Sequence, residues 1–141
     1  MFSRIIELKS IREQKSRLSE REKELEDPIL TDLSLLDQLY KWFEEISYSR
    51  EKKRNEQILQ RKKFIFIILC LYSPSTLAGG KMKTGLRDRL CEVLNLNDKS
   101  TLSKNLNNLS FHYQMYKYFR QDIDKIYSEF LKRLRVKGLI E

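Results

Sequence analysis

Gly79, Gly80 and Lys81 follow a nine-residue apolar run, FIFIILCLY (Phe64 to Tyr72), and precede the helix-like stretch GLRDRLCEVL. An apolar run, a glycine turn, a lysine and a helix is the order of a phosphate-binding loop. There, backbone N–H groups cradle the phosphates and a Ser or Thr hydroxyl after the lysine holds magnesium. The spacing here fails that chemistry. With Gly80-Lys81 aligned on the Gly-Lys pair, Ser75 stands where the first glycine belongs and Met82 where the hydroxyl belongs. The stretch therefore reads as a helix-to-helix loop in which Gly79-Gly80 supply a turn at positive φ. Lys81 and Lys83 either decorate a solvated connection or, with the loop amides, contact phosphates on a nucleic-acid backbone.

A second group of residues suits the same polyanion. In DKSTLSKNLNNL, helical spacing puts Leu102, Leu106 and Leu109 on one face,. The other face carries Lys99, Ser100, Thr101, Ser103, Lys104, Asn105, Asn107 and Asn108. Asparagine against adenine, hydroxyls against bases or phosphates, and lysine against guanine or phosphate are pairings that major-groove geometry allows. Asp98 suits an N-cap, and no carboxylate follows it on that helix,. Asparagine is a poor helix former, so three of them on one short helix lack an evident structural return.

The longer stretch TGLRDRLCEVLNLNDKSTLSKNLNNLSF resembles a helix-turn-helix DNA-binding unit over about residues 84–110. In that family a small residue lies inside the first helix and a residue tolerant of positive φ opens the turn four positions later. A Thr-Val/Ile-Ser-Arg/Lys string then begins the recognition helix. Cys91, Asn95 and Thr101-Leu102-Ser103-Lys104 occupy those places, with Leu96, Leu102 and Leu106 as apolar pegs. Asparagine follows glycine in tolerance of the left-handed region. The turn is one residue longer than the usual spacing, since Leu102 lies seven residues after Asn95 where six is usual. The resemblance implies contact with duplex DNA through Lys99, Ser100, Thr101, Ser103, Lys104, Asn105, Asn107 and Asn108, supported by Lys81 and Lys83.

Other chemistries find little support. His112 is the single histidine, and no serine, cysteine or carboxylate constellation accompanies it in the sequence. Cys70 and Cys91 lie in apolar surroundings at a spacing that suggests neither zinc nor a disulfide framework, which points to a reducing cytoplasm,. The expectation is a protein that is not an enzyme and needs no metal and no cofactor. No stretch resembles a signal peptide, and the apolar run of Phe64 to Tyr72 is half the length of about 20 residues that a membrane-spanning helix needs,. No membrane association is expected.

The elements that must position these residues are helical throughout. With four Gly and two Pro among 141 residues and 34% charged residues, the chain is poor in turn formers,. The expectation is an all-α fold: an N-terminal arm over 1–27 and a compact helical DNA-binding domain over 28–141 that contains the helix-turn-helix-like unit. The arm, Ser3 to Glu26, has Leu8, Ile11, Leu18 and Leu25 at heptad spacing, with Lys15 and Glu22 in the other two seam positions,. Such a seam is marginal alone, and docking on the body or on a partner chain is favoured over a free coiled coil. A second helix starts near Asp32 and is expected to continue through SYSREKKRNEQILQRKK. FIFIILCLY reads as a buried helix from about Gln57, because no second strand exists to pair with it. Trp42 is expected to anchor the core. The last stretch, SFHYQMYKYFRQDIDKIYSEFLKRLRVKGLI, reads as one long helix with Phe111, Met115, Tyr118, Phe119, Ile123, Ile126, Tyr127, Phe130, Leu131 and Leu134 on its apolar face,.

Charge divides the chain. Residues 1–49 hold 8 Lys/Arg against 11 Asp/Glu, and residues 50–141 hold 20 against 9, giving −3 and +11. A basic half of this size suits a polyanion. The functional expectation is a small DNA-binding regulatory or accessory protein, such as a transcription regulator from a phage or mobile element. Its arm would mediate self-association or contact another protein. The alternative is a helical structural or adaptor protein that assembles through an acidic arm and a basic body. A third possibility is a single-stranded nucleic-acid or RNA binder that uses its tyrosines.

Overall fold

The structure is a computed structural model that describes residues 1–47, 54–106 and 108–141. The fold is all-α, and no strand occurs among the described residues. In chain order the helices are α1 (Phe2–Glu26), a 3-10 turn (Leu33–Leu35), α2 (Leu36–Ile46), α3 (Arg54–Tyr72) and the one-turn α4 (Pro74–Leu77). They continue as α5 (Leu86–Val93), α6 (Lys99–Leu106), α7 (Leu109–Met115) and α8 (Lys117–Val136).

Each boundary has a local cause. Pro28 excludes the helical region for the residue before it, and Asp27 is extended at φ −61°, ψ 117°, so α1 stops at Glu26,. The link beyond is stapled to the end of α3: the N–H groups of Ile29 and Leu30 donate to the Leu71 carbonyl at 2.9 and 3.0 Å. Asp32 caps the 3-10 turn by accepting from the Ser34 N–H at 3.0 Å, and that bond with the Ser34 hydroxyl holds its carboxyl below the usual range,. The Tyr72 hydroxyl donates to the Asp32 carbonyl at 2.7 Å, tying α3 to this turn.

The core is built around α3. Phe64, Ile65, Phe66, Ile67, Ile68 and Leu69 are all buried, so this segment is covered on every side. That is why its sequence shows no amphipathic period. Phe64 packs against Tyr40 and Phe43 of α2 with ring centroids 5.1 and 5.3 Å apart. Trp42 is buried edge-on to Phe130 of α8 at 6.1 Å, with the Arg133 and Lys137 cations over its ring, as an anchor of the core should be,. Lys63, also buried, is paired with Asp122 at 2.7 Å,.

Three helices end in the same way. At α4, the Gly79 N–H donates to Thr76 O and the Gly80 N–H to Ser75 O; at α5, Asn95 donates to Glu92 O and Leu96 to Cys91 O. At α8, Gly138 donates to Arg135 O and Leu139 to Leu134 O. These are Schellman closures, with Gly79 (φ 95°), Asn95 (φ 56°) and Gly138 (φ 72°) in the left-handed position,. One expectation changes here. Of the Gly79-Gly80 pair, only Gly79 has a positive φ; Gly80 is required because a Cβ there would lie 2.9 Å from the Ser75 carbonyl oxygen.

Three further expectations are corrected. Helix α2 ends at Ile46, with Ser47 as its cap, so it does not run on into the basic segment; residues 48–53 of that segment lie outside the described residues and the rest belongs to α3. The last stretch is two helices, broken at Tyr116 (φ −106°, ψ 105°), and Phe111, Met115 and Tyr118 of the expected apolar face are exposed. The break is closed by Tyr113, which stacks on Phe66 at 4.8 Å and donates from its hydroxyl to Asp124 Oδ1 at 2.6 Å. Lastly, of the two covers expected for α1, the body is excluded, since α1 runs beside α4 but buries none of its residues; a partner chain is the cover that remains.

Candidate nucleic-acid interface

The expected helical hairpin is present. Gly85 opens α5 from the left-handed region at φ 86°, and Leu86, Leu90 and Cys91 are buried beneath it. Asn95 takes the positive φ that starts the turn, and Asp98 caps α6 by accepting from the Ser100 N–H at 2.9 Å. Bonding with Ser100 also holds the Asp98 carboxyl below the usual range,. Leu102 is fully buried where α6 packs on α3 and α5, while Leu96 and Leu106 are half-buried pegs.

The polar residues of α6 divide between three surroundings. Lys99 pairs with Asp88 of α5 at 2.6 Å, and Ser103 accepts from Arg87 at 2.8 Å, so these two side chains brace the hairpin. Ser100 and Lys104 are exposed, and Thr101 is half-buried. Asn105, expected on the outer face, is 5% exposed and points inward. Asn107 lies outside the described residues, and Asn108 is an exposed left-handed residue (φ 64°) that separates α6 from α7.

Inward placement of Asn105 does not remove it from a site. Gln57, Ile58, Arg61 and Lys62 of α3 and Thr101, Lys104 and Asn105 of α6 line one groove of about 530 Å³. Asn105 Nδ2 donates to the Thr101 carbonyl one turn back at 2.6 Å. A swapped amide would set two oxygens face to face, so that bond fixes the orientation. Asn105 Oδ1 is thereby left buried, with no partner among the described residues. A buried acceptor lacking a donor is costly, and the residue that carries it lines a groove with three cationic side chains.

Sequence reasoning singled out Thr101, Lys104 and Asn105 of this groove and missed Gln57, Ile58, Arg61 and Lys62. The basic run QILQRKK was visible. What a linear reading lacked was that its Arg61 and Lys62 fall across from α6 when Phe64 to Leu69 are buried. The same helix brings Lys62 to His112, whose pKa is lowered by burial and by the Lys62 charge,. Lys81 and Lys83 are both exposed on the loop after α4 and are not among the residues that line the groove.

The groove brings the Arg61 guanidinium together with the Lys62 and Lys104 ammonium groups, a set whose chemistry suits an anionic ligand,. Among the described residues no group of three or more His, Cys, Asp or Glu is placed to hold a metal ion. Also among them, no helix is long and apolar enough to cross a membrane. Set against known protein families, curated proteins and solved structures, the chain matches none of them.

Proposed function

We propose that this protein binds nucleic acid, with duplex DNA as the preferred form, as a non-enzymatic regulatory or accessory factor. The observation that carries the reading is the α3–α6 groove, which brings Arg61, Lys62 and Lys104 together beside Thr101 and Asn105. Backbone phosphates engage the three cations and the exposed Ser100, which fixes position without reading sequence. Lys81 and Lys83 add phosphate contacts at a distance from that centre. The resemblance of α5, the turn and α6 to a helix-turn-helix unit supports the same reading, with α3 supplying part of the surface.

The test is binding to duplex DNA over a salt series. Affinity should fall steeply with salt, and removal of one phosphate-contacting cation by Arg61→Ala or Lys62→Ala should reduce the slope by about one unit. Absence of binding at low salt would overturn the reading. A second reading is favoured by one observation, the full exposure of α1: a structural or adaptor protein that assembles with another chain. The same titration separates the two, because an adaptor has no need of salt-dependent affinity for DNA.

A further inference from the structure

Helix α1 has 25 residues and buries none of them. Its heptad seam is open to solvent: Leu8 is 50% exposed, Ile11 41%, Leu18 69% and Leu25 60%. Residues 1–26 carry Arg4, Lys9, Arg12, Lys15, Arg17, Arg21 and Lys23 against Glu7, Glu13, Glu20, Glu22, Glu24 and Glu26, so the arm itself is nearly neutral. Its function therefore lies in where the charges stand and not in their sum.

With Leu8, Lys15 and Glu22 at a and Ile11, Leu18 and Leu25 at d, the positions beside the seam are Glu7, Gln14 and Arg21 at g and Arg12, Ser19 and Glu26 at e. In a parallel, in-register pair, a g residue meets the e residue five positions later on the other helix. Glu7 then meets Arg12, and Arg21 meets Glu26, while Gln14 meets Ser19. Both charged pairings are attractive, and twofold symmetry doubles them. In an antiparallel pair with the seam fully overlapped, Leu8 lies opposite Leu25. That arrangement brings Gln14 beside Arg21, Arg12 beside Ser19 and Ile5 beside Glu26, none of them an ion pair. Parallel pairing carries one penalty, since Lys15 and Glu22 each meet their own copy across the seam. Polar residues at a lower the strength of a coiled coil and specify register and oligomer state.

We propose that α1 is a self-association helix, and that two copies of this chain pair their α1 helices in parallel and in register along Leu8, Ile11, Leu18 and Leu25. The partner is a second copy because the complementary charges are those of α1 itself. The pairing is reversible, as the two charged seam positions require, and it sets the two bodies at the same end of the paired helices. The inference rests on α1 alone and stands or falls independently of the nucleic-acid reading.

Sedimentation velocity of the full chain over a concentration series tests it. The expected result is a monomer–dimer equilibrium that approaches twice the 17.1 kDa of one chain. Leu18→Glu should hold the protein as a monomer without changing the melting of the body, since Leu18 touches no core. Glu7→Arg and Arg12→Glu should each weaken the dimer, and the two together should restore it. These positions are five apart, too far round one helix to pair within it, so restoration reports contact between helices. Lys15→Ile with Glu22→Ile should tighten the dimer. A wild-type chain that stays monomeric at every concentration overturns the proposal. So does a dimer that survives Leu18→Glu, or a charge exchange that fails to restore association.

Discussion

At the scale of single residues, the chemistry turns on two side chains beside α3. Asn105 holds an acceptor that nothing among the described residues satisfies, so Asn105→Leu should leave stability unchanged or raise it by about 1 kcal/mol, because a buried unpaired oxygen is removed,. Because Oδ1 is closed off from solvent and Nδ2 is bonded to the Thr101 carbonyl, the same change should leave DNA affinity nearly unchanged, which titration of the two proteins checks. His112 provides a pH signal. Burial and the Lys62 charge lower its pKa in the free protein. The free fold therefore has its full stability above the ordinary histidine range and loses some as pH falls toward the lowered pKa. A phosphate at Lys62 offsets that charge, so His112 should titrate at a higher pH in the complex, with proton uptake on binding and affinity that rises as pH falls through this window. Titration of the imidazole C–H signals by NMR, with and without DNA, checks the direction; a pKa that DNA leaves in place would remove Lys62 from the phosphate contacts. At the α4 turn, Gly80→Val should cost about 1–3 kcal/mol from the forced contact with the Ser75 carbonyl,. Lys81→Ala with Lys83→Ala should leave thermal melting nearly unchanged while lowering DNA affinity about equally for all sequences.

At the scale of elements, legibility followed local chemistry. The cap of α6 was visible because Asp98 bonds to a backbone N–H two residues on, a contact that needs no distant partner,. Asn95 was placed in the left-handed region by the turn position of the helix-turn-helix resemblance together with the tolerance of asparagine for that region,. The break at Tyr116 was not visible, since no glycine or proline marks it and the apolar spacing of Phe111, Met115, Tyr118 and Phe119 runs straight through. Tertiary contacts decide it: Tyr113 closes on Phe66 and Asp124, and Arg120 donates to the Gln114 carbonyl at 3.2 Å. The groove was half legible for the same reason. Its α6 wall lay in a recognisable polar face, whereas its α3 wall depended on how that helix is turned in the core. Leu102 measures the coupling between the two: Leu102→Ala removes a fully buried side chain from the contact of α6 with α3 and α5 and should cost about 2–5 kcal/mol in denaturant unfolding,. Leu106 is only half-buried, so its truncation should cost less than that of Leu102. A reversed order would mean that α6 is turned about its axis relative to this structure.

At the scale of the whole molecule, the fold places an exposed arm beside a body whose centre is the enclosed second half of α3. The order of synthesis then matters. Phe64 to Leu69 leave the ribosome well before α8, which supplies Phe119, Ile123, Ile126, Phe130 and Leu134 to the same core. A nascent chain that ends near residue 116 thus carries six consecutive apolar residues, rich in β-branched and aromatic types, without their final cover,. Such a segment is an aggregation hazard until the last helix arrives. The charged turns on its N-terminal side, Arg61, Lys62 and Lys63, serve as gatekeepers during that interval. A chain truncated after residue 116 should therefore be insoluble or chaperone-bound on expression, whereas deletion of residues 1–26 should leave a soluble, cooperatively melting body. Arg61 and Lys62, which line the groove of the finished protein, would then also have kept the unfinished chain apart from its neighbours.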